Sequence, residues 1–258
     1  MSLLTLAIDV GASSIKAILL HQNGALASSR SQIATPHPAT PDVAIAALCD
    51  LIDTMGHYDR ISIGFPSVVE RGVTRGAINL HPGWDGFDLG QTLQAKLAKP
   101  IRIANDADVQ GYGAIAGDGV ELVITLGTGF GSALFLNGAL LPNLELGQHI
   151  WRDRHTYEDC LGQPALEQVG FALWLECLCQ AIASLYKLFN FDKLYIGGGN
   201  ARLLSTSNLN LAPNLLTKVA IVSNDLGLLG GLALWHDVDW RTNLNQKRAT
   251  TGGLPLPA

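Results

Sequence analysis

Apolar residues in this chain gather in short runs that stop at small or acidic residues and then resume. Residues 6–20 and 122–136 share this pattern: an apolar strand, a turn of small residues, a second apolar strand. Each segment then reaches an Asn-Gly pair, Asn23-Gly24 or Asn137-Gly138, of the kind that closes a hairpin. Two strand–turn–strand units half a chain apart predict a duplicated domain. Further strands are predicted at 60–64, 101–104 and 193–196, each apolar and ending at a turn residue. Helical spacing predicts helices over 41–55, 89–99, 107–116 and 165–189. The last of these carries Leu166, Val169, Leu173, Cys177, Ile182, Leu185 and Phe189 near a 3.6-residue period. A Gly- and Leu-rich helix is expected at 227–235. Hairpins alternating with crossover helices give mixed α/β lobes. The expected division is 1–110 and 111–235, with a helix at 235–242 packing back on the first lobe and a mobile tail over 243–258.

Composition narrows the function classes. Of 258 residues, 48% are apolar and 15% charged, with a net charge of -5, so the chain is globular and mildly acidic. No stretch concentrates Lys and Arg, which argues against a nucleic-acid surface. No apolar run approaches the roughly 20 residues that span a bilayer, so no membrane partner is expected. The first strand runs into Asp9 without a basic leader, and a cytoplasmic protein is the expectation. Cys49, Cys160, Cys177 and Cys179 lack CxxC spacing and read as buried thiols.

Chemistry-bearing residues stand at the ends of the strands. In the first turn, Asp9 to Lys16, Gly11 and its small neighbours let backbone N–H groups approach an anion, and Ser13 and Ser14 add hydroxyls. Asp9 ends a buried strand, where a bare carboxylate is costly, and a hydrated Mg²⁺ beside it would explain it. A Ser-rich turn capped by an Asp explains the same residues equally well. The second turn, Gly127-Thr128-Gly129, suits a phosphate cradle mainly as the repeat partner of the first. Asn105-Asp106-Ala107-Asp108 opens a helix. Two residues apart on a helix is about 200° of rotation, so only one Asp can face a cleft. Asp106, at the strand–helix junction, is the candidate general base and Asn105 its hydroxyl-orienting neighbour; helix capping is the other reading of the pair. Glu145 and His149 follow a Pro-Asn turn and suit contacts to sugar hydroxyls, although a lone Glu in a loop is more often merely solvated. Gly197-Gly198-Gly199 ends a strand, where a flat nucleotide face or a plain tight turn fits.

In order, DxGx[ST]xxK, GFP, NDAD, LGTGxGS, PNxELG and GGG resemble the ROK family of sugar kinases and repressors, within it the polyphosphate/ATP glucokinase branch. The resemblance spans about residues 6 to 235. It implies the actin-like ATPase (ribonuclease-H-like) duplicated two-lobed fold, and phosphoryl transfer from ATP or polyphosphate to a hexose 6-hydroxyl with Mg²⁺. It implies phosphate binding at Asp9, Gly11, Ser13, Lys16, Gly127, Thr128 and Gly129, and nucleotide contacts at Gly197, Gly198 and Gly199. Asp106 matches the catalytic base, Asn105 and Glu145 the sugar ligands. Three departures stand out. The family's zinc-binding cysteines are missing, so no structural zinc is expected. Ser67 replaces a glycine after Gly64-Phe65-Pro66. Gln148 stands where a sugar-contacting His is usual, with His149 one residue later. Glu167 is the candidate for a second sugar glutamate. A homodimer is implied, and without a helix-turn-helix ahead of the first strand no DNA binding is expected. A catalytically weak sugar sensor of the same fold is the competing reading.

Overall fold

The computed structural model describes residues 3–76, 80–223 and 226–235. Along the first half run β1 (Leu4–Val10), β2 (Ser14–His21), β3 (Ser31–Ala34), α1 (Pro41–Asp53) and β4 (Arg60–Phe65). A small hairpin follows, β5 (Val68–Glu70) and β6 (Val73–Arg75), then α2 (Leu89–Leu97), β7 (Ile101–Asn105) and α3 (Asp106–Ala114). The second half runs β8 (Val120–Leu126), β9 (Phe130–Leu136), β10 (Ala139–Leu141), β11 (Ile150–Arg152), β12 (His155–Thr156), α4 (Tyr157–Leu161), α5 (Gln163–Val169) and α6 (Phe171–Phe189). It closes with β13 (Lys193–Gly197), α7 (Pro213–Leu216), β14 (Val219–Ile221) and α8 (Leu226–Gly230).

The expected repeat is visible in the sheets. One has the order β3-β2-β1-β4-β7 and the other β10-β9-β8-β13-β14. In each, an antiparallel three-strand meander leads into two strands parallel to the first. Each sheet has its own apolar core. In the first, α1 buries Ile45, Leu48 and Ile52 against Leu6, Ile8 and Ile63; in the second, α6 buries Trp174, Leu178, Ile182 and Leu185 against Leu122, Ile124 and Ile196. The Asn137-Gly138 turn has both residues at positive φ, 53° and 80°, which matches a two-residue hairpin. Asn23-Gly24 differs, with only Gly24 at positive φ in a wider loop closed by His21 N–H to Ala25.

Three expectations change. The predicted helix 165–189 is two helices, broken at Gly170, whose φ of 77° no helix accommodates. α6 is 19 residues long and, by length and composition, apolar enough to cross a membrane, contrary to the sequence expectation. Its buried stripe packs in the second core, which identifies it as a core helix. The predicted 227–235 helix is α8 followed by a turn and a 3-10 turn at Ala233–Trp235.

α3 lies between the sheets. Gly64 of β4 packs against its Val109, and its Gly111 lies against Phe135 of β9. α8 crosses α3 closely at Gly230, and Leu228 and Leu232 pack on Ala7, Ile18 and Leu20 of the first sheet. The return to the first sheet, expected over 235–242, thus begins at α8. Residues from 236 onward, with the expected helix and tail, lie outside the described residues.

Candidate active site

The β7–α3 junction forms the floor of a cleft of about 520 Å³ between the two sheets. Asn105 ends β7 at extended φ and ψ, and its Oδ1 accepts the N–H groups of Ala107 (2.9 Å) and Asp108 (3.3 Å). That is helix capping. Its Nδ2 donates to Ser67 O and to Glu145 Oε1, both at 3.2 Å. The capping and site readings of Asn105 are therefore both realised, by different atoms of one amide. Asp106 starts α3 and lines the cleft, with Oδ1 accepting Ala107 N–H at 2.8 Å. Its side chain is half-buried. Burial raises its pKa to about 7, and the charges of Asp9 and Glu145 add to the rise, against the pull of the Ala107 amide. Asp108 points away, as the helical rotation requires, and is 1% exposed.

On one side of Asp106 stands the loop 142–148. Ser132 of β9 braces it, donating from Oγ to Leu144 O and accepting Leu146 N–H at 3.1 Å, so that Glu145 is held between two fixed points. Glu145 lines the cleft, its pKa raised by burial and by the neighbouring Glu158. A 3-10 turn, Leu146–Gln148, carries Gln148 to the cleft and turns His149 outward beside Tyr157. Gln148 thus lines the cleft, and His149, expected from the sequence to contact the sugar, does not. Glu167 is likewise outside the cleft: it is exposed on α5 and accepts Gln163 Nε2 at 2.8 Å. The second carboxylate here is Glu158, at the start of α4, accepting Phe130 N–H at 3.1 Å. Its sequence signal was slight, the Thr156–Asp159 capping box that fixes where α4 begins. Ser67, 6% exposed, lines the wall through the segment whose carbonyl Asn105 holds.

On the other side the two repeat turns face each other. Gly11 N–H closes its turn on Ser14 O at 2.9 Å, so this amide is spent within the loop, and Ala12 and Ser13 form the tip at the cleft. Thr35, just after β3, braces the turn, donating from Oγ1 to Gly11 O (2.7 Å) and from N–H to Ser13 O (3.1 Å). Gly127, Thr128 and Gly129 line the opposite wall; Gln163 N–H donates to the carbonyls of Gly127 and Thr128, and Gly127 N–H to that of Gly129. Gly198 and Gly199 line it too, while Gly197 is buried at the end of β13 against Gln110 and Val222. Gly198, at φ 88°, lies on the backbone of Leu126, where a side chain would collide with the Leu126 carbonyl. Asn200 and Arg202, on the 3-10 turn after these glycines, complete the wall, and neither stands among the site residues expected from the sequence.

Asp9 pairs with Lys16 at 3.3 Å, and their side chains are 28% and 27% exposed. The carboxylate is neither deeply buried nor bare, so its presence alone does not require a cation. Among the described residues no group of three or more His, Cys, Asp or Glu is placed to hold a metal. Yet the cleft sets four carboxylates, Asp9, Asp106, Glu145 and Glu158, against two cations, Lys16 and Arg202. A polyanion entering it gains from a divalent cation. Mg²⁺ keeps several waters and binds through one or two carboxylates plus phosphate oxygens, a mode that Asp9 fits.

The sequence model of the ROK family matches residues 5–145. Polyphosphate glucokinase of Mycobacterium tuberculosis (strain ATCC 25177 / H37Ra) is 36% identical over 234 residues, spanning 86% of this chain and 88% of that protein. The crystal structure of inorganic polyphosphate/ATP-glucomannokinase from Arthrobacter sp. strain KM superposes with a TM-score of 0.80 at 29% identity, covering 91% of this chain and 100% of the other. A ROK family glucokinase from Streptomyces griseus, in complex with glucose and AMPPNP, gives a TM-score of 0.71 at 19% identity over 90% and 98% of the two chains, a likeness of fold. These matches, with the paired sheets, identify the actin-like ATPase fold.

Proposed function

The chain belongs to the ROK family, and from that premise we propose that it is a hexose kinase, moving a phosphoryl group from ATP or polyphosphate to a sugar 6-hydroxyl, most naturally that of glucose. The observation that carries this reading is the cleft itself: Asp106 lies at its floor, between a wall of sugar-type ligands at Asn105 and Glu145 and a pair of glycine turns. The relatives named above are glucokinases and a glucomannokinase, which supports the acceptor class.

In this mechanism Glu145, fixed by Asn105 and Ser132, grips sugar hydroxyls and sets the 6-hydroxyl over Asp106. Asp106 takes the hydroxyl proton as the oxygen–phosphorus bond forms and the bond to the leaving phosphate breaks. The turns at Ala12-Ser13 and Gly127–Gly129 hold the phosphate chain from its two sides, with Lys16 and Arg202 supplying positive charge. Mg²⁺, held through water by Asp9, would neutralise charge on the donor phosphates. Closure of the two sheets over sugar and donor excludes water, which otherwise competes as acceptor. Of the basic residues outside the cleft, Arg75 pairs with Glu70 at 2.8 Å and Arg102 stacks on Trp235.

A coupled phosphorylation screen of the purified protein with several hexoses, against ATP and polyphosphate, tests the reading. Turnover with glucose and at least one donor is expected. No turnover on any pair, with sugar binding retained by calorimetry, would establish the sensor reading in its place.

A further inference from the structure

Three segments remote in sequence meet beside Asp106, and two asparagines join them. Asn105 links Ser67 O to Glu145. Asn143 makes the second link: its Oδ1 accepts Val69 N–H at 3.0 Å and its Nδ2 donates to Val69 O at 3.3 Å. The carboxamide thus pairs with Val69 as a neighbouring strand would, across 74 residues of sequence. Asn143 is at φ 59°, the left-handed conformation that Asn tolerates better than other residues with a side chain. Its own N–H donates at 3.0 Å to Oδ2 of Asp108, a carboxyl 1% exposed whose other oxygen finds no partner among the described residues.

A buried carboxyl with half its bonding capacity unused is costly unless the bond it does make matters. Asp108 makes that bond to the residue that bridges the β5–β6 hairpin and the loop bearing Glu145. Both linked walls belong to the side of the cleft that holds Ser67, Glu145 and Gln148; neither repeat turn is touched. We propose that Asn143, seated by Asp108, is a positioning residue for the sugar: it locks the Ser67–Val69 segment to the Glu145 loop and so sets the acceptor wall against Asp106. The inference rests on the hexose kinase reading and extends it to two residues that make no sugar contact themselves.

The variants separate positioning from plain folding. Asn143→Gly keeps the left-handed backbone and the N–H to Asp108 while deleting both bonds to Val69. It should raise the sugar KM by about tenfold, the size expected for two part-buried hydrogen bonds lost together, and leave the donor KM within about twofold. Asp108→Ala should shift the sugar KM in the same way, and Asp108→Asn, which keeps an oxygen for the Asn143 N–H, should restore it. Calorimetric sugar affinity should follow the same order, with melting curves confirming that each variant is folded. A sugar KM unchanged in Asn143→Gly, or donor and sugar KM rising together, overturns the proposal while leaving the kinase intact. A wild-type protein that binds sugar without turning it over sinks the kinase reading alone, and the calorimetric series then decides the role of Asn143.

Discussion

Asp106 sits where three influences compete. The helix N-terminus and the Ala107 amide favour its anion, while burial and the charges of Asp9 and Glu145 favour the proton. The proton wins to the extent of a pKa of about 7, against an ordinary 3.8. A base must be unprotonated to act, so kcat/KM should fall on the acid side as pH drops through an inflection near 7. A cation beside Asp9 lowers that inflection, so raising Mg²⁺ from limiting to saturating should move it to lower pH. Asp106→Asn should bind sugar with affinity close to wild type and lose about 10²–10⁴-fold in turnover. Kinetics near wild type in that variant would take Asp106 out of the role. At the same scale, Gln148 in place of an imidazole gives the wall an amide with no charge to titrate, so the acid limb belongs to carboxylates.

Among the elements, α3 does the most. It offers its N-terminus to the cleft, and its small residues let both sheets and α8 come close. Gly230 of α8 meets the Val109 carbonyl so tightly that a methyl there would collide with it. Gly230→Ala should therefore destabilise the protein by about 1–3 kcal/mol, read as a drop in melting temperature, since packing this close leaves nothing flexible to yield. An unchanged melt would mean that α8 is free to move off α3. The break between α5 and α6 has a comparable cause. The 165–189 stretch spaces apolar residues near a helical period, but Gly170 splits it, so Val169 and Leu173 of the expected stripe are exposed, Glu167 faces out on α5, and Trp174 and Leu178 take the core.

For the molecule as a whole, the chain ends its described course where it began, on the first sheet. Arg60 and Arg102 each place a guanidinium 4.8 Å from the Trp235 ring, whose Nε1–H donates to Ser62 Oγ at 2.7 Å. The segment it anchors brings Gly227 to the cleft wall. Trp235→Ala should cost about 1–3 kcal/mol of stability through lost stacking and packing, and should raise the donor KM more than the sugar KM. Equal effects on both substrates would show that the anchor serves stability alone.

The sequence by itself determined the duplication, the strand-ending turns, the helix start at Asn105-Asp106 and the order of motifs, because these are local: periodicity, glycine and capping residues act over a few positions. It also narrowed Asp106 and Asp108 to one, through helical rotation. Only the tertiary structure decided between close neighbours elsewhere, taking Gln148 over His149, Glu158 over Glu167, and Gly198 and Gly199 over Gly197. Those choices turn on a single 3-10 turn, a capping box and one strand end, each a rotation that no composition pattern records. The charge on Asp9 met its partner Lys16 across the β1–β2 hairpin, and Asn143 met Val69 across 74 residues of sequence. Such pairings depend on how distant segments pack, and so they were set by the packed lobes and not by the local pattern of the chain.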